Sequence, residues 1–231
     1  MPDKRSLFNW SGGKDSTLAL HHVLQDKAFD IRYLLTTVND TYNRVSMHGV
    51  RESLLIEQAD SLGIPLYQIR LPESPDMSTY EQHMHRHLIQ LKTEGINHSI
   101  FGDLFLEDLK TYREKKLAEI DLIAVFPLWK RDTTEVLKEF ISLGYKTIVV
   151  CAREGLEDFC GRVIDETFLA DLPDGIDPCG ENGEFHTFVF DGPIFKHPIK
   201  FELGEKIFKT YPSPTADTAN PAGYWYIDLI G

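Results

Sequence analysis

The sequence predicts an α/β protein: a Rossmann-like, doubly wound parallel sheet of five strands, followed by a second, smaller mixed α/β unit. Three observations predict it. The stretch Ser11-Gly12-Gly13-Lys14-Asp15-Ser16 stands between a short apolar run, Leu7-Phe8, and a helix-like run from Thr17 to Leu24. A β-branched segment, Ile31 to Val38, follows the helix and completes a strand-helix-strand unit of about 30 residues, the size of a parallel crossover. The alternation of strands and helices then continues until Pro127, where the pattern breaks and shorter strands take over.

The chain has 231 residues, enough to bury a full core in one large domain or in one domain with a smaller neighbour. Hydrophobic residues make up 42% and charged residues 26%, ordinary values for a globular protein. No stretch reaches the length of a membrane span, and the start, Met1-Pro2-Asp3-Lys4-Arg5, has no long apolar run, so the expected location is cytoplasmic and no membrane partner is expected. The net charge of -12 and the isoelectric point near 5.2 argue against extended nucleic-acid binding, which needs a basic surface. Cys151, Cys160 and Cys179 form no close pair, which disfavours a disulfide framework and a structural zinc site.

In chain order, strands are expected at Leu7–Trp10, Ile31–Val38, Leu66–Leu71, His98–Phe101 and Leu122–Phe126. Helices are expected from about Val50 to Leu62, closed by Gly63, and from a Ser78 cap through Tyr80, Met84, Leu88 and Leu91. Residues 1–126 form the nucleotide unit in this reading, and 127–231 a substrate-binding unit over its edge. That second unit has a helix at Asp132–Leu143, a strand at Lys146–Cys151, a strand through Phe188-Val189-Phe190, and short strands near Ile199–Leu203 and Tyr224–Ile230.

Chemistry concentrates in two places. At the first, adjacent glycines let the backbone turn tightly and approach a ligand, and the next helix points its unpaired N–H groups back at the loop. Ser11 and Ser16 add hydroxyls, Lys14 a cation, and Asp15 a carboxylate suited to a magnesium ion. A Walker loop is excluded, since Phe8 and Asp15 occupy positions that would need Gly and Ser or Thr, and no Gly-x-Gly-x-x-Gly occurs. Ligands in such a sheet sit beyond the carboxyl ends of its strands, which brings Thr37, Val38 and Gly102 into the expected nucleotide site. Asp103 and Glu107 read equally as acids stabilising a helix N-terminus or as ligand contacts. His83, His85 and His87 lack accompanying ligands at a zinc spacing and read as packing or surface residues. The second place is Cys179-Gly180-Glu181-Asn182-Gly183-Glu184-Phe185-His186-Thr187. A polar glycine-rich turn explains its glycines and Asn182, but not Glu181, Glu184 and His186 together.

The first loop resembles the pyrophosphate-binding Ser-Gly-Gly-x-Asp-Ser loop of the ATP pyrophosphatase superfamily. Together with Gly102-Asp103 through Tyr112-Arg113, Pro127-Leu128-Trp129 and the segment 179–187, it makes the chain resemble the diphthine ammonia ligase family. Family ligases carry Glu-Gly-Gly-Glu-(Phe or Tyr)-Glu-Thr where this chain has Asn182 for a glycine and His186 for a glutamate. With Arg44 to Arg51, which includes His48, that pattern resembles the family's bacterial branch. The resemblance implies ATP and Mg2+ as cofactors, with magnesium at Asp15, and a small-molecule or protein-borne carboxylate as substrate. The carboxylate would attack the α-phosphate with release of pyrophosphate, and ammonia or an amine would then displace AMP. Lys14, Asp15, Glu181, Glu184 and His186 are the implied catalytic set. His48, Asp103, Glu107, Arg113, Asn182 and Thr187 are the implied acceptor contacts. A homodimer is compatible with this reading. An RNA-modifying pyrophosphatase-type enzyme and a nucleotide-binding module without turnover are its alternatives. Removal of Lys14 is expected to cost ATP affinity and little folding stability.

Overall fold

The computed structural model describes residues 4–45, 49–211 and 222–231. The chain opens with strand β1 (Lys4–Asn9), helix α1 (Lys14–Gln25) and strand β2 (Phe29–Asn39). It continues through β3 (Arg44–Val45), α2 (Glu52–Leu62), β4 (Leu66–Leu71), α3 (Met77–Thr93), β5 (His98–Ile100), α4 (Glu107–Ala118) and β6 (Ile123–Val125). The five predicted strands pair in parallel in the order β4-β2-β1-β5-β6. The two-residue β3 is antiparallel, and pairs with Val38 and Asn39 beyond the point where β1 ends opposite Leu35. From β1 the chain thus winds outward through β2 and β4, then returns to β5 and β6 on the other side. The carboxyl ends of β1 and β5 flank that switch in direction, where such sheets open a crevice.

Both faces of this sheet are covered, as parallel sheets require. Successive residues of β1 show it: Leu7 joins the core with Ile69, Leu91 and Leu117, whereas Phe8 joins the core with Leu18, Leu54 and Phe140. Helix α3 starts two residues earlier than the Ser78 cap predicts. Its cap is Asp76, which accepts the Thr79 N–H at 2.7 Å, as a short acid before a helix does.

The rest of the chain comprises α5 (Thr133–Ser142), β7 (Lys146–Arg153), α6 (Phe168–Asp171), β8 (Phe185–Asp191), β9 (Glu202–Tyr211) and β10 (Ala222–Ile230). Its strands form an antiparallel sheet in the order β8-β7-β10-β9. The expected strand near 199–203 starts only at Glu202; Ile199 is buried in the preceding irregular stretch, its N–H donating to the Phe190 carbonyl at 2.7 Å. One apolar cluster runs without interruption from Phe8 and Trp10 of the first sheet to Val149, Phe185 and Phe188 of the second. At the far end Asp228 of β10 accepts from Arg44 at 2.8 Å and Arg51 at 2.6 Å, which ties the last strand to the segment around α2. Among the described residues no helix is long and apolar enough to cross a membrane.

Candidate nucleotide and acceptor site

The backbone leaves the first sheet after Trp10, whose N–H still donates to Leu35 at 2.7 Å. Gly12 takes φ +79, and a Cβ there would lie 2.7 Å from Gln58 Oε1, so this position requires glycine twice over. Gly13 caps α1 with extended backbone. Its carbonyl gathers Thr17 N at 3.0 Å, Ser16 Oγ at 2.9 Å and Thr17 Oγ1 at 2.8 Å, while its N–H donates to Ser11 Oγ at 3.2 Å. Ser11 Oγ and Ser16 Oγ are 3.0 Å apart. Two hydroxyls and a backbone N–H thus converge at the positive end of a 12-residue helix, the arrangement an anion uses.

Gly102 closes the crevice from the other side. A Cβ there would come within 2.8 Å of Ser16 N and 2.9 Å of Asp15 C, so the loop after β5 lies directly against the first turn of α1. The next residue, Asp103, pairs with Arg113 of α4, whose guanidinium lies 4.4 Å from the centre of the Phe101 ring. Burial raises the Asp103 pKa against the pull of Arg113. Helix α4 starts at Glu107, so Asp103 belongs to the loop, whereas Glu107 is a first-turn acid together with Asp108. Glu107 is exposed and pairs with the equally exposed Lys130 at 3.1 Å.

Lys14 is only 3% exposed. Its ammonium donates to Asp15 Oδ2 at 2.8 Å and to the carbonyl of Cys179, and stands 5.3 Å from the centre of the Phe185 ring. Burial opposes its charge, but Asp15 beside it and Glu181 beyond help outweigh that and hold its pKa above the ordinary lysine value. The Lys14 N–H donates to Thr187 Oγ1 at 3.0 Å. Lys14 therefore bridges the first loop to the second through both its ammonium and its backbone N–H.

Within the second loop the two glutamates have different roles. Glu184 is 1% exposed and accepts from Asn182 N at 2.9 Å, Asn182 Nδ2 at 3.1 Å and Asp177 N at 3.2 Å. Burial favours its neutral form, but these donors outweigh it and hold its pKa below the usual carboxylate value. Glu184 and Asn182 fasten the loop. Glu181 instead lies between the loops that follow β1 and β5, accepting the Leu104 N–H at 3.3 Å. Burial, then the Asp15 charge, push its pKa up to about 8, with Lys14 offsetting part of the rise. On β8 the pleat puts Phe185 and Thr187 on the face toward Lys14 and turns His186 to the opposite face, where it pairs across from Cys151.

Three further positions were expected at the site. Val38 is fully buried, so its side chain has no surface to offer a nucleotide. Thr37 pairs with Ile69 in the part of β2 that runs past β1. His48 lies outside the described residues. Sequence reasoning missed Asp177 and Gln58. Asp177 accepts Cys179 N at 2.9 Å and Glu181 N at 3.2 Å through one oxygen, and Thr133 Oγ1 at 2.8 Å through the other. An Asp two residues before a Cys-Gly turn is a recognisable signal for such a turn. Gln58 bonds Trp10, Gly12 and Val189, and its signal was a polar residue on the apolar face formed by Leu54, Leu55 and Ala59.

A Ser-Gly-Gly-Lys-Asp-Ser loop between the first strand and first helix, at the switch point of a parallel sheet, defines a pyrophosphate-loop protein of the Rossmann-like α/β class. Residues 4–122 match the family model described as the diphthamide synthase N-terminal domain, and residues 132–212 match the diphthamide synthase C-terminal domain. The chain belongs to the diphthamide synthase family. Similar proteins include the diphthine–ammonia ligase of Danio rerio, 29% identical over 64% of this chain and 65% of its own length. Those of Bos taurus and Homo sapiens are 30% and 29% identical, over 58% and 52% of this chain and 49% and 46% of their own lengths. The chain thus spans between about half and two thirds of the length of the curated relatives it matches. A solved structure described as a predicted subunit of tRNA methyltransferase, from Methanocaldococcus jannaschii, aligns with a TM-score of 0.41 at 16% identity over 63% of this chain and 80% of its own; a likeness that loose carries no argument.

Proposed function

We propose that this chain is an ATP-dependent carbon–nitrogen ligase that adenylates a substrate carboxylate and then transfers ammonia to it. The observation that carries this reading is the meeting of the two loops: Glu181 lies between Asp15 and Leu104 while Lys14 reaches back to Cys179. Family membership and the relatives' ligase names support it.

The first loop holds the polyphosphate. Ser11 and Ser16 hydroxyls, the Gly13 N–H and the α1 dipole face the departing pyrophosphate and stabilise the charge that collects there. Asp15 Oδ1 is buried with no hydrogen-bond partner among the described residues, which suits a carboxylate kept for a cation. Asp15 would hold Mg2+, which when bound supplies positive charge to the phosphate oxygens. The acceptor carboxylate oxygen bonds to the α-phosphorus as the bond to pyrophosphate breaks. The nitrogen of ammonia then bonds to the acyl carbon, AMP leaves, and the proton lost by nitrogen passes to Glu181. Burial raises the proton affinity of Glu181, which suits a group that takes up a proton during the reaction. Arg113, held by Asp103 beside the same crevice, is the cation to meet the acceptor's carboxylate. Asn182 and His186 mark where the second loop departs from the family pattern.

The test is product analysis. The protein, ATP, Mg2+ and ammonium are incubated with protein and small-molecule fractions of a cell extract. AMP and pyrophosphate in equal amounts, dependent on one fraction, are expected. ADP and phosphate as main products would overturn the reading, and the active fraction identifies the acceptor as protein-borne or small.

A further inference from the structure

The geometry points to Gln58 as a positioning residue that aims the first loop at its anion, an inference that rests on the nucleotide reading above. Gln58 is fully buried on α2, outside both chemical clusters. Its Oε1 accepts the Trp10 indole N–H at 2.9 Å, and its Nε2 donates to Gly12 O at 3.1 Å and to Val189 O at 2.6 Å. The orientation of the amide follows from its partners. An indole only donates and a carbonyl only accepts, so the oxygen must face Trp10 and both amide hydrogens are used.

The consequence lies in the next peptide. Gly12 O also accepts the Val189 N–H at 2.9 Å, so two donors on one side fix this carbonyl. A trans peptide is planar, with its N–H opposite its C=O. Anchoring Gly12 O toward α2 and β8 therefore turns the Gly13 N–H the other way, onto the side where Ser11 and Ser16 place their hydroxyls. Gln58 also explains part of why residue 12 must be glycine, since its own oxygen occupies the space of a Cβ. One buried amide thus joins the end of β1, the loop and β8, and sets the direction of a phosphate donor without touching the ligand.

The test compares wild type with Gln58→Met, which keeps the volume and removes the donors, and with Trp10→Phe, which releases the amide from the other end. Ser61→Ala is the control. Ser61 is buried one turn further along α2 and likewise bridges to the C-terminal half, donating to His197 O at 2.6 Å, but it does not touch the loop. Amide hydrogen exchange of the segment 10–17 in the free protein should rise in the two loop variants and stay unchanged in Ser61→Ala. Calorimetric affinity for ATP with Mg2+ should fall roughly 10–100-fold in the same two variants, the scale for losing one hydrogen bond to a charged group, at a melting temperature comparable to that of the control. Wild-type exchange in segment 10–17 of Gln58→Met, or of Trp10→Phe should the first not fold, overturns the inference. So does unaltered ATP affinity. Absence of ATP binding by the wild type would instead bring down the nucleotide reading, and the exchange measurement would still decide whether Gln58 sets the loop.

Discussion

The side-chain nitrogen of Lys14, in the first turn of α1, donates to the backbone carbonyl of Cys179, 165 residues further along the chain. A residue expected to reach outward for phosphate is therefore also a buried tie between the two loops. Lys14→Met should lower both quantities: ATP affinity by about 1.5–3 kcal/mol and folding stability by a similar amount, the range for hydrogen bonds to charged groups. Calorimetry and urea unfolding on one preparation check this. A variant that loses affinity alone would show that the tie to Cys179 adds nothing to stability.

Glu184→Gln puts an amide N–H₂ where three donors now point. The Asn182 backbone, its side-chain amide and the Asp177 backbone would compete for one remaining oxygen. The expected cost of about 1–3 kcal/mol lowers the melting temperature by about 3–10 °C for a chain of this size. ATP affinity should stay within about threefold, because the Glu184 carboxylate accepts from Asp177 and Asn182 of its own loop, while turnover drops. Lost turnover at an unchanged melting temperature would return Glu184 to the chemistry.

Gly102→Ala tests the crevice from the other side. The added methyl group meets backbone at Ser16 and Asp15, which has no flexible end to swing away. Displacement of the first turn of α1 should cost about 1–3 kcal/mol of folding stability, the usual scale of overpacking, and weaken ATP binding with it. Titration with ATP and Mg2+ measures the weaker binding, and wild-type affinity would show that the loops separate freely.

Asp228 gives the stability a pH dependence. Hydrogen bonds from Arg51, opposed by burial and reinforced by Arg44, pull its pKa from 3.8 to about 2. Its charged form therefore stabilises the native state above pH 4, and that contribution is lost as the pH falls toward 2. Asp228→Asn should be less stable than wild type at pH 7 and show a flatter decline between pH 4 and 2. Parallel curves for the two proteins in thermal melts across that range would remove Asp228 from the acid limb.

The parallel sheet was legible because its signals are local: a loop of defined composition, then strands and helices of ordinary length. The members of the first loop were legible for the same reason. Ser11, Gly12, Gly13, Lys14, Asp15 and Ser16 are neighbours in sequence and in space. What sequence could not supply was which face a residue of β8 presents, or which of two glutamates three residues apart would be satisfied by its own loop. His186 and Thr187 differ by one position, and Glu181 and Glu184 by three. Their surroundings come from β7, from Asp177 and from Leu104, all fixed by tertiary packing. Gln58 was hidden more deeply, since a helix shows its polar residues and not their partners.

Strand β8 presents Phe185 and Thr187 to Lys14 and the backbone of Val189 to Gly12. Because side chains in a strand alternate, the link between the two loops depends on parity. Losing a single residue from the strand while β7 keeps its pairing would exchange the residues on the two faces and put a phenylalanine where a hydroxyl receives the Lys14 N–H. Substitutions in β8 change the contact one residue at a time, whereas a frame of one residue changes all of it. The segment should therefore tolerate many replacements over evolutionary time but no change of length.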